Sequence, residues 1–127
     1  MSDYTKVNLH DVKDMAAEWG LEGMEARFAR TNLELQNFGV GYEKLAPNFR
    51  IPFGHEHAEQ EEVYVILSGS GRIKIDDEIV DLGQWDMIRV PKGVIRNSEA
   101  GPDGMEVLAI GAPHLDDTEM HQGWWND

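Results

Sequence analysis

The chain has 127 residues, and 24 acidic against 11 basic residues give it a formal net charge of −13. That length suits one domain with one core, and the acidic balance excludes nucleic acid or an anionic membrane surface as the main partner, because both need clustered cations. The absence of cysteine excludes disulfides, thiolate metal ligands and thiol nucleophiles, which suits a reducing cytosol.

The opening "MSDYTKVNLHDVKD" lacks the basic start and apolar core of a signal peptide, and no apolar run is long enough to span a bilayer. The expectation is therefore a soluble, cytoplasmic protein. In "NLHDVKDMAAEWGLEG", Val12, Met15, Ala16 and Trp19 repeat at helical spacing. This predicts a short amphipathic helix over about 11–19, capped by Asn8 or Asp11 and ended by Gly20.

After Gly23 the pattern turns to strands. "MEARFAR" alternates, and "FGVGYEKLA" does so more weakly, with Val40 and Tyr42 on one face; Pro47-Asn48 marks a turn. "VYVILSGSGRIKIDDEIVDL" reads as two or three strands joined by Gly-Ser-Gly and Asp-Asp turns. "WDMIRVPKGVIRN" gives two short strands broken at Pro91 and Gly93. "AGPDG" is a turn, "MEVLAIGAP" the last clear strand, and "DDTEMHQGWWND" an irregular tail clamped by Trp124 and Trp125 onto its own or a neighbouring subunit. Many short strands without intervening helices predict an all-β barrel or sandwich forming a single domain over 1–127.

"HEHAEQEEVYVILSG", His55 to Gly69, carries the chemistry. In the preceding "FRIPFGHEH", a period of two places Phe49, Ile51, Phe53, His55 and His57 on one face. The apolar face runs directly into two imidazoles, so both point where the core points. From Glu62, alternation sets Glu62, Tyr64 and Ile66 on one face of the next strand. Two nitrogens and a carboxylate would suit Zn, Fe, Mn or Ni as a divalent ion. The same residues could equally form the polar mouth of a barrel without metal. His10, His114 and His121 lack such a context and read as solvated or structural.

These residues resemble the cupin superfamily, specifically its small single-domain members. The family's first motif runs glycine, five residues, His-x-His, three or four residues, Glu, six residues, glycine. His55, His57, Glu62 and Gly69 fit it, and Phe49 stands at the leading glycine. Of the second motif, Pro91 and Gly93 fit, while Trp85, Arg96 and Ala100 replace its glycine, histidine and asparagine. The resemblance covers about Gly39 to Ala112. It implies a double-stranded β-helix, or jelly-roll barrel, with the ligand pocket inside, and metal ligands His55, His57 and Glu62 without the fourth. It also implies a homodimer, as is usual for similar cupins. It names no reaction, because the superfamily includes oxygenases, isomerases, decarboxylases, sugar-binding domains and storage proteins.

Arg96 decides between mechanisms. At the fourth-ligand position its guanidinium cannot donate an electron pair to a metal and would repel one. Either a three-ligand site survives with Arg96 swung aside to hold a ligand's anion, or a bidentate Glu62–Arg96 pair replaces the metal in a binding or sensing module. A one-residue slip in "GVIRN" would instead turn Arg96 to solvent. With Arg96 inward, the expected ligand-binding residues are Arg96, Tyr64 and Phe53, and the ligand is small and anionic or polar. As an enzyme, the protein would be a metal-dependent oxygenase or isomerase; no catalytic residue is assigned. A purely structural dimerisation domain is the remaining reading.

Overall fold

In the computed structural model, which describes residues 3–127, eight strands form one curled sheet. They are β1 (Met24–Phe28), β2 (Gly39–Leu45), β3 (Phe53–His57), β4 (Glu61–Ile75), β5 (Glu78–Gly83), β6 (Met87–Val90), β7 (Arg96–Ala112) and β8 (Thr118–Gln122). β4 and β7 are the two long strands and pair antiparallel from Glu61–Ala112 to Ile75–Arg96. On its other side, β7 takes β2 along its second half and β3 at its start; β1 and β8 close the outer ends, and β5 and β6 pair with β4. Inward residues from these strands, among them Ala26, Leu45, Ile66, Ile73, Val90 and Val107, make one buried core. No helix among the described residues is long and apolar enough to cross a membrane.

The expected helix over 11–19 is broken in two. A 3-10 turn, Leu9–Asp11, is capped by Asn8, and a single turn, α1 (Met15–Glu18), is capped by Asp14. Asp14 Oδ1 accepts from Ala16 N–H at 3.0 Å and from Ala26 N–H on β1 at 2.9 Å. One carboxylate thus starts α1 and staples it to the sheet. Val12, extended and only 3% exposed, is buried at the break. Gly20, at φ 75°, ends the segment as expected. A second one-turn helix, α2 (Arg30–Leu33), was not signalled by any periodicity.

Two expected turns prove to be bends inside long strands. Neither Gly-Ser-Gly nor "AGPDG" reverses the chain: β4 and β7 run through both, and the four residues Gly101–Gly104 loop out opposite Ser70 alone. The turn chemistry is real, but it serves a bulge that bends the strand pair between the two layers of the barrel. Gly69 and Gly104 face each other there at φ 75° and 79°, and a Cβ on Gly69 would lie 2.0 Å from the Gly104 carbonyl oxygen. The Asp76-Asp77 hairpin and the break at Pro91–Gly93 occur where expected.

The tail is not irregular: Thr118–Gln122 is β8, pairing with β3 from Phe53–Gln122 to His57–Thr118. Its mostly exposed, polar residues give no alternation to read; what recruits it is the unpaired edge of β3. Beyond it, Trp125 is 4% exposed, and the Arg50 guanidinium lies 4.2 Å from its ring centroid, so the tail docks on its own chain. Substituting Gly69→Ala should cost about 2 kcal/mol or more, since it forces a Cβ into the facing backbone at a left-handed residue. Urea unfolding against wild type measures it, and an unchanged midpoint would refute the bulge geometry.

Candidate functional site

Three strands bring the expected residues together. His55 and His57 project from β3 and Glu62 from the start of β4, and both imidazole Nε2 atoms point at one carboxylate oxygen, Glu62 Oε1, at 3.6 and 3.4 Å. Arg96 is the direct cross-strand partner of His55, so it enters the same face. The side chain does not slip outward: it is 1% exposed. Its Nη2 donates to Glu62 Oε1 at 3.0 Å, its Nε to the Tyr64 hydroxyl at 3.2 Å, and its Nη1 to the Val94 carbonyl at 3.1 Å. The Tyr64 hydroxyl donates in turn to Glu62 Oε1 at 2.9 Å. The Glu62–Arg96 pair forms through one oxygen rather than as a bidentate fork, because Nε is committed to Tyr64.

Asp117, just before β8, fixes His57 from behind. Its Oδ1 lies 2.9 Å from His57 Nδ1, and its Oδ2 accepts from the Glu59 and Gln60 backbone N–H groups at 2.9 and 3.0 Å. In that contact His57 Nδ1–H donates to the Asp117 carboxylate, and Nε2 faces Glu62. Nothing in the local sequence marks Asp117, since its partners lie about sixty positions away in the fold.

Charge follows from these contacts. Burial alone would raise the Glu62 carboxyl, but hydrogen bonding by His55 and His57 and the Arg96 charge outweigh it and hold Glu62 well below the usual carboxylate range. Burial lowers His55, which favours its neutral form. Burial also disfavours the His57 cation, but Glu62 and Asp117 overcome it and raise that imidazole. Asp117, opposed by desolvation but held by the Glu59 N–H and His57, falls to about 2.

The donor set suits a divalent ion: two oriented Nε2 atoms and a carboxylate oxygen lie within 4.8 Å of one another. The surrounding charge does not, because a buried guanidinium already occupies the shared oxygen. Any ion at His55, His57 and Glu62 would have to displace Arg96 from it.

The cluster lies in a cavity of about 360 Å³. Phe53 lines it, as do Tyr64 and Arg96. Its mouth is apolar: Trp19 packs edge-on against Phe53 with ring centroids 6.0 Å apart and lies 6.3 Å from Phe28, and Met120 and Leu115 join the rim. His114, read from sequence as solvated or structural, also lines it, while His121 lies off the cavity and pairs with Glu56 at 2.8 Å. Space is made by glycine on β2 and β7. A Cβ on Gly111 would lie 2.7 Å from the Gln60 side chain, which lines the same cavity.

Glu43 is the site residue that sequence reading passed over. Gly39, Gly41 and Glu43 share the inward face of β2, opposite the face of Tyr42, and all three line the cavity. The signal was there: Glu43 has the parity of Leu45, a core residue, and of two glycines. Burial, then the charge of Glu62, pushes the Glu43 carboxyl up to about 7.

Asp117 generates a pH prediction. A carboxyl lowered from 3.8 to about 2 stabilises the fold above pH 3.8, and that contribution is lost as pH falls through 2. Acid unfolding of wild type should therefore steepen in that window, and Asp117→Asn should flatten it. Asp117→Ala, which strands two backbone N–H groups, should cost about 1–3 kcal/mol in urea. Identical acid profiles for wild type and Asp117→Asn would remove Asp117 from the account.

Comparison with known proteins agrees with this architecture. No curated protein matches the chain. Among solved structures, a cupin protein from Bacteroides fragilis superposes with a TM-score of 0.73 at 26% identity, covering 91% of this chain and 89% of that one. The oxalate decarboxylase of Bacillus subtilis gives a TM-score of 0.76 at 23% identity, over 94% of this chain but 33% of that longer one. A Streptomyces PAC13 variant solved with uridine gives 0.75 at 16% identity, covering 95% and 92%. The family description of the cupin domain matches residues 41–111, more than half of the chain, so this protein belongs to the cupin family.

Proposed function

We propose that the barrel binds a small organic molecule against the fixed Glu62–Arg96 pair, and that His55, His57 and Glu62 take up a divalent ion only weakly. The observation that carries this reading is the convergence of Arg96, Tyr64, His55 and His57 on one oxygen at the wall of a 360 Å³ cavity. A cavity of this size fits a molecule of metabolite dimensions, and its lining of apolar walls with a few convergent polar groups is typical of ligand sites. The uridine bound to PAC13, a protein of the same fold, supports a small-molecule role without naming this ligand.

The specific observation favouring weak metal binding is the position of Arg96. A guanidinium a few ångströms from a divalent ion opposes it by several kcal/mol in a partly dry site. Each of its three nitrogens donates within the protein, and it serves as the counter-charge of Glu62. The second reading, a resident metal, is supported by the His57–Asp117 contact, a hydrogen bond of the kind that orients metal-bound imidazoles. The oxalate decarboxylases among similar structures make it worth testing.

Titration with Zn²⁺ or Ni²⁺ separates the two. Affinity should rise from wild type to Arg96→Ala to Arg96→His, by about 100-fold overall, as a repelling charge is removed and then an imidazole is supplied. Arg96→Ala without metal should lose about 3 kcal/mol or more of stability, because Glu62 is left buried and uncompensated. Added metal should restore part of that loss. Tight binding by wild type, with no gain in either variant, would instead establish a resident metal.

A further inference from the structure

Glu43 has no role in the cluster above, yet it projects into the cavity. Among the described residues no side chain or backbone group hydrogen-bonds its carboxyl, and only burial and the charge of Glu62 act on it. A polar group inside a barrel without a protein partner is costly unless a ligand or water satisfies it. We propose that Glu43 is the specificity-determining residue of this pocket, and that it selects a small amine with a flat apolar body.

Three independent observations lead there, all resting on the reading of the barrel as a small-molecule pocket. First, among the described residues Arg96 is the one arginine or lysine lining the cavity, and it is already paired with Glu62. Each Arg96 nitrogen already donates to a protein acceptor, the His55 imidazole points at Glu62, and His57 is enclosed between Asp117 and Glu62. Second, the cavity contains two carboxyl groups, one already matched by Arg96 and one unmatched. An ammonium head is the group that Glu43 can pair with at charge-assisted strength. Third, the walls above it are aromatic. Trp19, Phe28 and Phe53 come from three different segments to line the mouth, an arrangement that favours a flat apolar body and attracts a cation passing over the ring faces. The overall charge of −13 draws cations towards the molecule and repels anions.

The titratable or charged groups that line the cavity with Glu43 are Glu62 and Tyr64 on β4, Arg96 on β7, His55 and His57 on β3, and His114 between β7 and β8. Burial raises Glu43 to about 7, so at slightly alkaline pH it is ionised, and an entering ammonium favours that form further.

Phenethylamine, phenethyl alcohol and phenylacetate share one ring and one chain length class and differ in the head: cationic, neutral and anionic. Titrated into the protein at about pH 8 and followed by calorimetry and tryptophan fluorescence, the amine should bind about tenfold or more tighter than the alcohol, with phenylacetate weakest. Glu43→Gln, which keeps the side-chain volume, should bring the amine to the affinity of the alcohol while leaving the alcohol within about threefold. Trp19→Ala should weaken amine and alcohol alike. Circular dichroism confirms that each variant is folded. Preference for phenylacetate, or an amine affinity unmoved by Glu43→Gln, overturns the assignment of Glu43 while leaving the pocket in place. Failure of all three probes to bind overturns the small-molecule reading as well.

Discussion

A guanidinium that is 1% exposed inside a β-barrel must be neutralised where it stands, and the compensation of Arg96 organises everything around it. Glu62 supplies the charge, Tyr64 takes Nε, and the Val94 carbonyl takes Nη1. The two imidazoles then point at an oxygen that already has donors. The cluster is a satisfied polar network first and a metal-ligand set second. Removing any one member leaves another buried group short of a partner, which is why the network holds a single arrangement.

The position of that network in the barrel shapes the rest of the pocket. Glycines on the inward faces of β2 and β7 keep the space open, and the aromatic collar at the mouth limits what enters. Asp117 connects the two levels. It precedes β8, follows the segment that carries His114 and Leu115 at the rim, and holds His57 at the depth of the cluster. The chain after β7 therefore contributes to both the wall and the wiring of the site.

Much of this was legible in the sequence because strand alternation is a strict period of two. It placed Phe53, His55 and His57 on one face and Glu62 and Tyr64 on another, and the fold brings those faces together. Arg96 stood out because it broke a family pattern, and its depth follows from its pairing with His55. What was not legible depended on long-range partners. Asp117 acts on residues far away in sequence, β8 forms because an edge is open, and Asp14 splits a helix because its carboxylate also reaches β1. Gly-Ser-Gly and "AGPDG" carry ordinary turn chemistry, and only the pairing of β4 with β7 reveals that they bend a strand without reversing it. Glu43 was missed for a different reason: an acid beside Lys44, on the strand face opposite Val40 and Tyr42, looks like a surface residue.

The long strand β7 has a consequence for how the molecule assembles. It pairs with β2, β3 and β4, so strands from near the start of the chain wait for one that ends at residue 112 before their hydrogen bonds can form. Non-local pairing of this kind exacts a loop-closure entropy before any contact rewards it. The barrel should therefore fold slowly for its length. During synthesis, β3 and the first half of β4 leave the ribosome with their apolar faces uncovered. The acidic composition is then useful at a stage before any ligand is met: mutual repulsion keeps half-made chains apart until β7 arrives to close the sheet.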